Sequence, residues 1–119
     1  MEVTAVILCG DFNVNSTSEL YKTLVSPRPG VEMLDYFKKA VGSEIHTYDS
    51  ENGMVENLEG VGRIDYILGL ESLTRGNGET VKFLPLKCVE FMVHKTGKGQ
   101  EMSDHWAISG TFLPADKIN

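Results

Sequence analysis

Apolar and polar positions follow different rhythms along this chain. The first run, Val3 to Cys9 (VTAVILC), is continuously apolar and rich in β-branched residues. Such a run predicts a strand buried on both faces, because a half-exposed strand would alternate. It ends in Gly10-Asp11-Phe12-Asn13, and polar residues at the C-terminal end of a buried strand are a common place for chemistry in layered α/β folds. Ser16 and Glu19 have the spacing of a capping box, which predicts a helix over about Ser18 to Leu24. Pro27, Pro29 and Gly30 break it. From Val31 to Val41, the residues Met33, Leu34, Phe37, Ala40 and Val41 share one face at helical spacing. That predicts a second helix whose apolar stripe packs on a core.

The stretch from Gly42 to Gly62 is polar, with glycines at 42, 53, 60 and 62, and reads as a long loop or lid. Arg63 to Leu68 (RIDYIL) is a short strand with a charge in its middle, and Leu70 to Glu79 is a polar turn region. Val81 to Val93 holds the β-rich run LKCVEFMV, and His94 to Glu101 is a locally basic loop. Ser103-Asp104-His105 then precedes WAISGTFL, which alternates as a half-buried strand does. There are no repeats and no internal linker. The order of strand, two helices, loop and further strands predicts an α/β (α+β) fold, a mainly antiparallel mixed sheet with helices on one face.

A chain of 119 residues is one domain or part of one, long enough to bury a core without disulfides. No stretch is long and apolar enough to predict a membrane span. Glu2 and the short apolar run after it do not make a signal peptide, so a cytoplasmic protein is expected. The formal charge of -6 disfavours non-specific binding to nucleic acid. A nuclease stays open, because a bound divalent metal brings positive charge to the site itself. Cys9 and Cys88 lie in apolar runs and read as two buried reduced thiols. A disulfide between adjacent strands stays open but is not implied, and nothing spaced around them makes a zinc site.

Three polar clusters carry candidate chemistry. Asp11 and Asn13 are two apart at a strand end, where a period of two points side chains the same way. The carboxylate can take a proton from water and the amide can donate to a phosphate oxygen; the alternative is an Asx turn closing the strand. Asp65 sits between Ile64 and Tyr66, a costly place for an unpartnered carboxylate. A structural salt bridge to Arg63, two residues before it, is the alternative reading. His105 is the residue type for acid–base work near neutrality, with Asp65 the candidate to orient it and Asp104 facing a metal or its water. His46, Asn57 and His94 read mainly as solvated loop residues, His46 with a weak indication of substrate contact.

Taken in order, GDFN, RIDYIL and SDHWAISGTF, from Gly10 to Phe112, resemble the motif series of the endonuclease/exonuclease/phosphatase superfamily. That superfamily includes apurinic endonucleases, inositol polyphosphate 5-phosphatases, deadenylases and neutral sphingomyelinases. The stretch HTYDSENGMVENLEGVGRIDYIL resembles the sphingomyelinase-like branch, where a threonine-aromatic-Asp stretch comes before GRIDYI. The resemblance implies a metal-dependent hydrolase of phosphoesters, first a phosphodiester, acting by in-line attack of water. A nuclease or an inositol polyphosphate phosphatase is the alternative within the superfamily, and an inactive fragment or interaction domain the alternative outside it.

The resemblance also implies residue roles. Asp11 orients or deprotonates the attacking water, Asn13 bonds the scissile phosphate, and Asp65 holds the imidazole of His105. His105 stabilises the pentacovalent phosphate or exchanges a proton with it. Asp11, Asn13 and Asp104 are the implied ligands of Mg²⁺, or of Mn²⁺ in its place. The implied fold is the C-terminal half of a four-layered sandwich. The family's first half, with an early Asn motif and a metal-binding Glu, has no counterpart before Gly10. Residues 1–119 are therefore expected to form a partial domain, completed by that N-terminal half or by a second chain, a homodimer included. Alone, this domain is expected to bind metal weakly and to show little or no turnover.

Overall fold

Ten residues from Asp65 to Thr74 form the spine of the structure, a computed structural model that describes residues 5–41, 44–97 and 99–115. This strand, β3, pairs antiparallel with β1 (Val6–Asp11), β2 (Val31–Asp35) and β4 (Thr80–Lys82). Its side chains explain its place: Tyr66 and Leu68 are fully buried, with Ile64 and Ile67 beside them. A second sheet is the antiparallel pair β5 (Leu86–His94) and β6 (Ala107–Pro114), with a bulge between Cys88 and Glu90. Two short helices, α1 (Leu20–Val25) and α2 (Tyr36–Ala40), and a 3₁₀ turn (Leu58–Gly60) complete the elements among the described residues. The fold is a small mixed α+β domain of mostly antiparallel sheets.

The sheets meet through aromatic rings. Tyr36 packs edge-on against Phe112 with centroids 4.7 Å apart, and Phe37 against Phe91 at 5.1 Å. Such pairs add specific geometry to the area they bury. Behind them lies Arg63, 1% exposed, its guanidinium stacked over Phe37 and Tyr66. It donates two hydrogen bonds to the Asp35 carboxylate, Nη1 to Oδ1 at 3.0 Å and Nη2 to Oδ2 at 2.7 Å. This fork-on-fork pair fastens the approach to β3 onto the junction of β2 and α2.

Several elements differ from the sequence reading. The helix expected over Val31–Val41 is a strand followed by a short helix. Pairing with β3 claims Val31 to Asp35, with Met33 opposite Leu70 and Leu34 opposite Gly69. Asp35 then caps α2 by accepting from Lys38 N. The capping box is not formed: α1 starts at Leu20 with no side-chain cap, and Ser16 Oγ donates instead to Glu44. Strand β1 is exposed over Ile7 to Asp11 rather than buried on both faces, because its contacts are chiefly its ladder with β3 and little covers its faces. Val3 and Thr4 of the expected strand lie outside the described residues. Leu70 to Thr74, read as turn, continue β3, and the run from Val81 divides into β4 and β5. Both cysteines are free, but Cys9 is exposed and Cys88 only half-buried, against the expectation of buried thiols. Among the described residues, no helix is long and apolar enough to cross a membrane.

Candidate active site

The β1–β3 ladder sets Asp11 directly opposite Asp65 at the end of the sheet. The ladder goes one step further, with Phe12 N donating to the Ile64 carbonyl. His105 arrives from the other sheet, two residues before β6. Its Nδ1 donates to Asp65 Oδ2 at 2.9 Å. Its Nε2 lies 3.6 Å from Asp11 Oδ2 and 3.9 Å from Asp104 Oδ1. Three carboxylates thus surround one imidazole, and Asp11, Asp65 and His105 present ligand atoms all within 4.8 Å of one another.

Exposure divides these groups by task. The side chains of Asp65 and His105 are 15% and 25% exposed, those of Asp11 and Asp104 44% and 50%. The inner pair is fixed and the outer carboxylates are open to solvent. For His105, partial burial favours the neutral ring, but the hydrogen bond and charge of Asp65, aided by Asp11 and Asp104, outweigh it and raise the pKa above the ordinary histidine value. The imidazolium therefore persists to higher pH than in a free histidine.

Asn13 stands apart from the strand that was expected to orient it. β1 ends at Asp11, and Asn13 adopts a left-handed φ of 55° with its N–H donating to Asp11 Oδ1 at 2.8 Å. The backbone is the Asx turn that was the alternative for this pair, so alternation along a strand does not align the two side chains. The turn does hold the Asp11 carboxylate beside the site. His46 is exposed on the long loop and does not belong to the Asp11–Asp65–His105 group. Asn57 caps the 3₁₀ turn, and His94 Nε2 bonds Ser109 Oγ on β5–β6.

Residues that carried no assigned role hold the site together. Thr47, Asp49 and Asn52 of the long loop are all nearly or fully buried. Thr47 Oγ1 accepts from Ile64 N at 3.1 Å and Asp65 N at 3.2 Å, and its carbonyl accepts from Trp106 N at 2.8 Å. Asp49 accepts from the Trp106 indole and from Lys95. Asn52 donates to the Ser103 carbonyl, and Ser103 Oγ accepts from His105 N. The loop re-enters the sheet through a two-way bridge between Tyr48 and Gly62. Gly62 has φ 155°, and a Cβ there would strike the Asn15 amide. The one signal of all this in the sequence was the TYD stretch ahead of GRIDYI.

Next to Asp104 opens a cavity of about 440 Å³ lined by Tyr48, Met54, Glu56, Asn57, Met102 and Ser103. The Tyr48 ring lies 5.2 Å from that of His105. Comparisons with protein-family models, with curated proteins and with solved structures gave no match.

Proposed function

We propose that this chain is the catalytic C-terminal part of a metal-dependent phosphoesterase resembling the endonuclease/exonuclease/phosphatase superfamily. The observation that carries the reading is the Asp65–His105 bond of 2.9 Å with the Asp11 and Asp104 carboxylates at the free nitrogen of the same ring. These residues come from three separate motifs, Asp11 and Asp65 on the first sheet and Asp104 and His105 in the turn that leads into β6.

In this reading the phosphoryl group sits against His105 Nε2. The ring, whose protonated form its carboxylates favour, stabilises a phosphoryl oxygen or gives it a proton. Asp65 holds the ring by its other nitrogen, as a carboxylate does for a working histidine. Asp11 orients the attacking water and accepts its proton, and Asn13 bonds the scissile phosphate. The donor set fits a hard cation: Mg²⁺ takes oxygen ligands, Asp11 and Asp104 offer open carboxylates, and three carboxylates around one imidazole leave excess negative charge. Asp11 and Asp104, with the Asn13 amide, would hold it. Such an ion, or Mn²⁺, would supply neutralisation of charge on the phosphoryl oxygens.

The cavity beside Asp104, with Tyr48, Met54 and Met102, supports a phosphodiester with an apolar or small organic part, as in the sphingomyelinase-like branch. Lys95 of the basic loop is engaged by Asp49 and Glu51, which argues against that lysine as a contact for a polyanion. The reading extends to the fold as half of a four-layered sandwich. Exposed Leu8 and Leu20 line one apolar groove with Phe12, Leu24 and Met33, which supports a covering segment or a second chain, since contiguous apolar surface favours association. The test is Mg²⁺-dependent hydrolysis of a generic phosphodiester, short-chain sphingomyelin, an inositol polyphosphate and plasmid DNA. Cleavage of the sphingomyelin analogue and, slowly, of the generic phosphodiester is expected, without cleavage of DNA or the inositol polyphosphate. Cleavage of DNA or the inositol polyphosphate in its place would move the chain to another branch, and cleavage of none would count against the reading.

A further inference from the structure

Buried Thr47 reaches both arms of the site. Through its side chain it takes the amides of Ile64 and Asp65, where β3 begins. Through its carbonyl it takes the amide of Trp106, the residue after His105. Its own amide donates to Gly62, which closes the loop onto the approach to β3. At 1% exposure, the hydroxyl is out of reach of bulk water, so two backbone donors depend on it. An orphaned buried donor is costly, and here the donors flank the carboxylate that holds the histidine.

We infer that Thr47 is a positioning residue, a strut that sets the separation of Asp65 and His105 across the two sheets. This rests on the reading of Asp65 and His105 as the working pair, and it assigns a reaction-specific task to a residue that does not touch the substrate. The arrangement is economical: Asp65 and His105 are 40 residues apart, one on β3 and the other in the turn before β6, and the Thr47 backbone and side chain bond the chain on both sides. Asp49 locks the Trp106 indole, which fixes the residue that Thr47 holds by its amide. Neither feature bears on chemistry directly, but a ring displaced by a fraction of an ångström loses its bond to Asp65.

The test compares Thr47→Val, which keeps the shape and removes the acceptor, with Thr47→Ser, which keeps the acceptor. The first readout is the downfield Nδ1–H resonance of His105 in the metal-free protein, together with the Ile64 and Asp65 amide shifts. In wild type and Thr47→Ser the ring proton is expected to be visible and slowly exchanging. In Thr47→Val it is expected to be lost, with both amides shifted, while the Trp106 indole and cooperative unfolding are retained. The second readout is hydrolysis, where Thr47→Val is expected to lower kcat about 10–100-fold with KM little changed, and Thr47→Ser to restore it. A ring proton unchanged in Thr47→Val, or lost equally in both variants, would overturn the role. Absence of hydrolysis by the wild type would sink the phosphoesterase reading alone, since the resonance is read without turnover.

Discussion

Asp65 Oδ2 accepts from His105 Nδ1 at 2.9 Å, and this single bond links the first residue of β3 to the turn that feeds β6 in the other sheet. It decides which nitrogen of the ring faces the open carboxylates. With Nδ1 committed inward, Nε2 points toward Asp11 and Asp104. Replacement of Asp65 by Asn keeps the shape and removes the charge. Asp65→Asn is expected to lower the His105 pKa toward its ordinary value and to reduce hydrolysis by about 100-fold or more, the range of a positioned acid or base. Proton NMR titration of the ring checks the first effect without any assay of turnover; an unmoved titration would contradict it.

Arg63 and Asp35 form a buried pair of another kind, with 1% and 4% of their side chains exposed. Removing one partner leaves an uncompensated charge in the core, which costs about 3–5 kcal/mol. Arg63→Met is expected to destabilise the domain by that amount in urea unfolding. A loss below about 1 kcal/mol, the scale of an exposed ion pair, would show that the pair is relaxed in solution.

Asp49 gives a stability prediction with a definite sign. Burial would raise its pKa, but the Trp106 indole, Lys95 and the Glu51 amide together hold it below the ordinary value of 3.8. A depressed folded pKa stabilises the native state above the unfolded pKa, and that stabilisation is lost as pH falls through the folded value. Asp49→Asn is therefore expected to be less stable than wild type at about pH 6, with the gap closing at about pH 3. Chemical denaturation at the two pH values measures it, and a gap that does not narrow would exclude Asp49 as the source.

The motif positions were legible because their chemistry is local: GDFN at a strand end, a carboxylate between apolar neighbours, and a histidine beside an acid. The structure brings Asp11, Asp65, Asp104 and His105 together. What could not be read depends on partners distant in sequence. Val31 to Val41 carries a helical stripe, yet Met33 and Leu34 are drawn into a ladder with β3, a tertiary preference that periodicity does not contain. Thr47, Asp49 and Asn52 look like loop polarity until Asp65, Trp106 and Ser103 arrive to accept or supply their bonds. Burial of β1 was overestimated for the same reason, since a continuous apolar run does not say whether anything covers it.

The central claim is that the cluster around His105 cleaves phosphoesters. The most direct measurement is the Mg²⁺-dependent rate of hydrolysis of a generic phosphodiester by wild type and His105→Ala, prepared identically. Slow but metal-dependent hydrolysis by the wild type, reduced by about 100-fold or more in the variant, is the expected result. Equal rates in the two proteins, or no metal-dependent hydrolysis by either, would contradict it.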